Sequence, residues 1–218
     1  MEDINIQSEY WDEAAASRKF THPLPWSVFR DMIPPAAKIL DYGCGYGRTC
    51  SELVKAGYAN VTGIDISQEM IKRGKGLNPD LDLHFFDGKT IGFENDFFDA
   101  CLLIAVLNCI PQDAGLKRTI AEIYRLLRPG GILFISDYPL QSDQRNKKRY
   151  QEFEQKLGTF GMFCTDGAVF RHFDMELIKQ LLSDFDIVWQ DNIRLRTMNG
   201  NESDAIQIFA RKRDKVSP

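Results

Sequence analysis

Apolar and polar residues alternate in blocks along the first two thirds of the chain. Lys38-Ile39-Leu40-Asp41 is a short apolar run that ends in glycine-rich punctuation, which predicts a strand. Arg48 to Ala56 reads as a helix stopped by Gly57. Asn60 to Asp65 is a second strand, and Ser67 caps a helix running to about Lys75. Leu81 to Phe86 is a third strand. Asp99 to Leu107 is a fourth, with the unbroken hydrophobicity of a strand buried on both faces. Leu116, Ile120, Ile123, Tyr124 and Leu127 then fall at helical spacing within Ala114 to Leu127. Arg128-Pro129-Gly130-Gly131 stops that helix, and Ile132 to Ser136 is a fifth strand.

Such alternation predicts an α/β fold, a Rossmann-like, doubly wound and mostly parallel sheet with helices on both faces. Past Ser136 the pattern changes. Residues 139–171 are polar, aromatic and irregular, and Asp174 to Leu182 is a helix. Asp186 to Arg196 and Ala205 to Arg211 read as strands joined by Met198-Asn199-Gly200-Asn201, where Asn-Gly is a hairpin signal. The sheet is therefore expected to have seven strands and to end in an antiparallel pair. One domain over 1–218 is expected: a helical lid (1–37), a cofactor-binding core (38–138), an insertion roofing the substrate (139–173), and a C-terminal helix and strands (174–218).

Composition narrows the function classes. A chain of 218 residues with net charge −4 does not suggest an electrostatic grip on nucleic acid. The acidic start Met1-Glu2-Asp3 is not a secretory signal, and Ala100 to Leu107 falls far short of the ~20 apolar residues that cross a bilayer. A cytoplasmic protein with no membrane partner is expected. Its five cysteines, Cys44, Cys50, Cys101, Cys109 and Cys164, lack C-x-x-C spacing, so reduced thiols and no metal site are expected.

In an open α/β sheet, ligands bind at the carboxyl ends of strands. The first strand ends in Asp41-Tyr42-Gly43-Cys44-Gly45-Tyr46-Gly47, whose glycines let the backbone turn sharply beside a ligand. The dinucleotide fingerprint is G-x-G-x-x-G, whereas the spacing here is G-x-G-x-G. An acid in the cradle would repel a pyrophosphate and suits the ammonium of a methionyl group. That favours S-adenosylmethionine over NAD. Asp65 closes the second strand, where an acid commonly accepts hydrogen bonds from ribose in either cofactor class. Asp87-Gly88 follows the third strand, and Ile104-Ala105 lies near the end of the fourth.

The ordered set Ile39 to Gly47, Gly63-Ile64-Asp65-Ile66-Ser67 with Met70-Ile71, Asp87-Gly88, Phe98-Asp99-Ala100 and Leu127-Arg128-Pro129-Gly130-Gly131 resembles the motifs of class I methyltransferases. The resemblance covers about residues 36 to 138. It implies that Asp41 and Gly43, with Gly45, hold the methionyl end, that Asp65 holds the ribose, and that Ile66 and Met70 pack on adenine. Asp87 and Gly88 would meet the adenine amino group, with Ile104 and Ala105 on the sulfonium side. In similar enzymes the segment before the first strand folds over the cofactor, which makes Tyr10 and Lys19 candidate cofactor contacts and Trp11 a candidate substrate contact. A helix that merely covers the sheet is the competing reading.

Methyl transfer needs alignment and exclusion of water more than a strong catalytic motif. Asp137 and His172 are candidate bases and Tyr138 a candidate for orienting the acceptor. Arg149, in the basic cluster from Arg145, would meet an anionic acceptor or be a solvated helix face; Asn199 would reach the pocket or simply make its turn. The N/D-P-P-Y/F/W tetrad of amine and amide methylases is absent from Ala105-Val106-Leu107-Asn108. A small-molecule acceptor is therefore expected. The rival functions are a non-catalytic S-adenosylmethionine-binding module and an NAD-dependent oxidoreductase.

Overall fold

The structure, a computed structural model, describes residues 7–89 and 91–213. The first six residues of the expected lid lie outside that range. Two short helices, α1 (Ser8–Ala14) and α2 (Trp26–Met32), precede the sheet. Then come β1 (Lys38–Tyr42), α3 (Arg48–Lys55), β2 (Asn60–Asp65), α4 (Gln68–Leu77), β3 (Asp82–Phe85), β4 (Phe98–Ile104), α5 (Asp113–Leu126) and β5 (Leu127–Asp137). The chain closes with α6 (Gln144–Leu157), β6 (Met162–Thr165), β7 (Ala168–Arg171), α7 (Met175–Leu181), β8 (Phe185–Arg196) and β9 (Glu202–Lys212).

The expected sheet is present. Its seven strands run in the order β3-β2-β1-β4-β5-β9-β8, parallel through β5 and antiparallel at β9 and β8. The chain moves outward from β1 to β3 and then returns to β4 on the other side of β1. The strand order reverses between β1 and β4, so the crevice for a ligand opens at their carboxyl ends.

Alternation along the strands builds a core on each face. On one face Leu40, Cys101, Leu103 and Ile135 pack against Leu116, Ile120 and Ile123 of α5 and against α7. On the other, Ile39, Ala100, Leu102 and Phe134 pack against Phe29 of α2 and Leu53 of α3. Residues 100 to 103 are completely buried, which accounts for the unbroken apolar run. Each such aliphatic side chain contributes about 1.5–3 kcal/mol on burial.

Three sequence expectations are corrected. β4 stops at Ile104 rather than Leu107, because Ala105 takes a left-handed conformation (φ 53°) and Leu107–Cys109 forms a single 3-10 turn. Leu127 begins β5 instead of ending α5, since its backbone is already extended (ψ 134°). Residues 139–173 are ordered: α6 is capped by Asp143, whose carboxylate accepts from the Asn146 amide, and is ended by Gly158 at φ 73°. The β6–β7 hairpin turns through Asp166 and Gly167, both at positive φ. Among the described residues no helix is long and apolar enough to cross a membrane.

Gly63 in β2 lies where a Cβ would come within 2.7 Å of Leu83 Cδ2, 2.8 Å of Cys44 Sγ and 2.9 Å of Cys50 Sγ. Gly63→Ala should therefore destabilise the fold by about 1–3 kcal/mol, read as a lowered midpoint in denaturant unfolding. An unchanged midpoint would mean that this packing yields freely.

Candidate functional site

The glycine-rich loop after β1 is held by backbone hydrogen bonds, with Gly43 and Cys44 both donating to the Ile64 carbonyl at 2.8 and 3.0 Å. Gly43 has φ 75°, and a Cβ there would meet Val106 Cγ2 at 2.6 Å. Only glycine allows this approach between the β1 and β4 loops. Asp65 binds the two ligand-side loops together. Its Oδ2 accepts from the Gly45 amide at 2.7 Å and its Oδ1 from the Ser67 amide at 2.8 Å. Burial raises its pKa to about 6, against those two amide bonds. Ser67 in turn caps α4 by accepting from the Met70 amide.

A cavity of about 420 Å³ opens at these strand ends. One part of its wall is Gly43, Asp65, Ile66, Gly88, Ile104 and Ala105. Six of the expected cofactor contacts are thus brought together. The rest of the wall is mixed: Trp11, Phe20, Tyr138, Phe170 and Met198 stand with His22, and polar side chains including Asn108, Arg118 and Glu122 line it as well. Trp11 and Tyr138, expected at the substrate, thus line the same cavity.

The remaining expectations do not hold at the cavity wall. Asp41 alternates with Leu40 and Tyr42, so it faces α3, where it accepts from the Cys50 thiol at 3.3 Å; burial pushes its pKa up to about 6. Gly45 sits beneath the Phe20 ring, to which a Cβ would come within 2.1 Å. Met70 is core, packed with Ala14 and Ala15 of the lid. Asp87 stays at the exposed rim and accepts from the Lys89 amide. Tyr10 packs edge-on against Trp11 and Phe170 behind the wall, and Lys19 points to solvent. The Arg149 guanidinium lies 3.4 Å from the Phe163 ring centroid, inside the insertion. Asn199 bonds Arg18 through its side chain. His172 is buried, with Nδ1 2.5 Å from the Tyr150 hydroxyl, and burial together with Arg149 and Arg145 depresses its pKa.

Asp137 is also outside the wall. Its carboxylate accepts from the Tyr138 amide at 2.8 Å and the Asn108 amide at 3.2 Å, fixing the loop after β4. The left-handed Ala105 is secured by its own amide, which donates to the Ser136 carbonyl at 2.8 Å. Sequence reasoning missed Phe20, His22, Phe170 and Met198. They come from three distant segments, and a local pattern marks none of them.

The N-terminal segment is folded down over the loop. Asp12 Oδ1 accepts from the Ser67 hydroxyl at 2.6 Å and the Glu69 amide at 3.1 Å. Arg73 donates to the Ala15 and Arg18 carbonyls, and its guanidinium lies 4.0 Å from the Tyr46 ring centroid. Tyr46 stacks on Phe20 at 5.2 Å. Gln7 bonds both backbone polar groups of Val169 in β7. The segment is thus clamped to α4 and to the insertion at once.

Comparison with known proteins agrees with this geometry. A family model described as a methyltransferase domain matches residues 40–135. A solved S-adenosylmethionine-dependent methyltransferase from Methanosarcina mazei superposes with a TM-score of 0.82 at 25% identity, over 88% of this chain and 98% of that one. Residues 40–135 thus carry a methyltransferase domain, on a fold shared with class I S-adenosylmethionine-dependent methyltransferases. This methyltransferase domain is also 32% identical to 2-methyl-6-phytyl-1,4-hydroquinone methyltransferase of Synechocystis, over 58% of the chain. It is 28% identical to cycloartenol-C-24-methyltransferase 1 of Oryza sativa, over 72% of the chain. The matches span 40% and 49% of those two proteins.

Burial moves the pKa of Asp137 from the ordinary 3.8 to about 7. The folded state then holds a proton that the unfolded state has released, so stability falls as pH rises through about 4 to 7. Denaturant unfolding should show the wild type losing stability relative to Asp137→Asn over that window. A constant difference between the two would contradict the burial argument.

Proposed function

We propose that this methyltransferase domain binds S-adenosylmethionine in the 420 Å³ cavity and transfers its methyl group to a hydrophobic small molecule. The observation that carries the reading is the single cavity wall in which Gly43, Asp65 and Ile104 meet an aromatic chamber. The donor chemistry fits the cofactor. The Asp65 carboxylate accepts from backbone amides at both oxygens and, with about four acceptor sites, keeps capacity suited to ribose hydroxyls. Ile66 supplies an apolar surface for adenine, and Gly43 lets the backbone approach the methionyl chain.

S-adenosylmethionine supplies an electrophilic methyl on a sulfonium. The protein's own work is to bind, align and keep water out. Phe20 and Trp11 cover the cavity from the N-terminal segment, while Tyr138, Phe170 and Met198 wall the acceptor side. An apolar acceptor suits that lining, and the printed names of the Synechocystis and rice relatives point to hydrophobic acceptors in those proteins. The chain's spacing and its buried carboxylate disfavour NAD, and a binding-only module would share the same cofactor wall.

Calorimetry with S-adenosylhomocysteine tests the reading. Asp65→Asn should weaken binding about 10- to 100-fold, as expected for a charged hydrogen bond of about 1.5–3 kcal/mol. Wild-type protein that bound NAD but not S-adenosylhomocysteine would sink the proposal. Production of S-adenosylhomocysteine with a panel of prenylated and sterol-like acceptors separates an enzyme from a binding module.

A further inference from the structure

His22 lies in the N-terminal segment, is 3% exposed, and lines the cavity. Its ring is fixed at two points and its backbone at a third. Nδ1 is 2.8 Å from Ser136 Oγ, and the ring stands edge-on to Tyr138 with centroids 4.8 Å apart. Its carbonyl accepts from Arg48 at 2.6 Å. Gln207 Nε2, which donates to the Pro23 carbonyl at 2.7 Å, stands 3.5 Å from the same Ser136 Oγ. Nε2 of His22, by contrast, is buried and has no hydrogen-bond partner. A buried polar atom left unpaired costs about 1–3 kcal/mol, so an orphan held rigidly at a cavity wall is placed for a ligand.

Its position is informative. Ser136 is paired with Ile104, and its carbonyl receives the Ala105 amide. His22 therefore stands beside the strand ends that form the border between the two parts of the cavity. The His22 ring abuts Tyr138, and Trp11, Phe20 and Phe170 share the wall with the polar Thr21 and Asn108, so an aromatic ligand that carries a polar atom suits the place beside Nε2.

The geometry points to His22 as the residue that receives the proton of an acceptor hydroxyl, and hence to a hydroxylated aromatic acceptor. This rests on the methyltransferase reading above. In the tautomer whose Nδ1–H donates to Ser136 Oγ, Nε2 presents a lone pair to the hydroxyl. The acceptor oxygen forms its bond to the methyl carbon while the carbon–sulfur bond breaks toward sulfur. The methylated oxygen is then a far stronger acid than the free hydroxyl, and its proton passes to Nε2. One positive charge leaves the sulfonium and one arrives on the imidazole, so the enclosed charge is unchanged. Burial, with Arg48 nearby, holds the free imidazole's pKa at about 3, so its lone pair is available throughout the physiological range. A weak base suffices because the oxygen becomes acidic as its bond to the methyl carbon forms, so the proton begins to move to Nε2 within that transition state.

The chain has three histidines, so the ring nitrogens of the full-length protein are resolvable by nitrogen-15 NMR. The protein is first loaded with S-adenosylhomocysteine; failure to bind it would sink the methyltransferase reading before any acceptor is added. Methylhydroquinone, kept reduced, should then shift the His22 Nε2 signal, identified by its absence in His22→Gln. The dimethyl ether of methylhydroquinone, which has no hydroxyl, should leave it unmoved. His22→Gln should also slow methylation of the hydroquinone by at least about 100-fold while S-adenosylhomocysteine affinity stays within about threefold. The inference is overturned if the hydroquinone does not bind, if it perturbs the Met198 methyl without moving Nε2, or if His22→Gln retains the wild-type rate. If that variant fails to fold, the signal is assigned by elimination from His84→Gln and His172→Gln, and the wild-type spectra still read out the contact.

Discussion

The Asp65 carboxylate is the constraint on which the site depends. It lies at the end of β2, almost fully buried, and each oxygen is engaged by a backbone amide from a different loop. One amide belongs to the glycine-rich loop after β1 and the other starts the turn into α4. Two adjacent strand–loop–helix units are thereby tied at their ligand end. Burying the carboxylate is costly, which is why its pKa is raised despite the two amides. A ligand that donates further hydrogen bonds to it would relieve part of that cost.

The second level of organisation is the closure of the N-terminal segment. It is fastened by hydrogen bonds from both directions: Asp12 meets the start of α4, and Arg73 on α4 reaches back to Ala15 and Arg18. The Phe20–Tyr46 stack seals the glycine-rich loop, and Gln7 continues the attachment to the β6–β7 hairpin. That closure brings Trp11, Phe20 and His22 to the cavity wall. In the proposed reading the sheet builds the cofactor side, and what is laid over it builds the acceptor side. This division explains why a family-level match over residues 40–135 describes one side and not the other.

Legibility in the sequence follows the same division. Gly43, Asp65, Ile66, Gly88, Ile104 and Ala105 were readable because each follows directly from a strand end, a local feature. Asp41 and Met70 were misplaced because motif order does not say which face a side chain takes; Asp41 turns to Cys50 and Met70 to the lid helix. Helix α6 was hidden by composition. Its run Gln144 to Lys156 is mostly charged, although Asp143 and Gly158 bracket it with ordinary cap residues. The Asp166-Gly167 turn of the β6–β7 hairpin was likewise a local signal, obscured by the short strands around it. His22 and Met198 were not legible at all, since contacts between distant segments put them at the wall.

A crystal structure of the protein with S-adenosylhomocysteine tests the central claim most directly. The account predicts ribose hydroxyls within hydrogen-bonding distance of Asp65 and the sulfur beside Ile104 and Ala105, facing the chamber of Trp11, Tyr138 and His22. A ligand bound elsewhere, or one whose sulfur points away from that chamber, would contradict it.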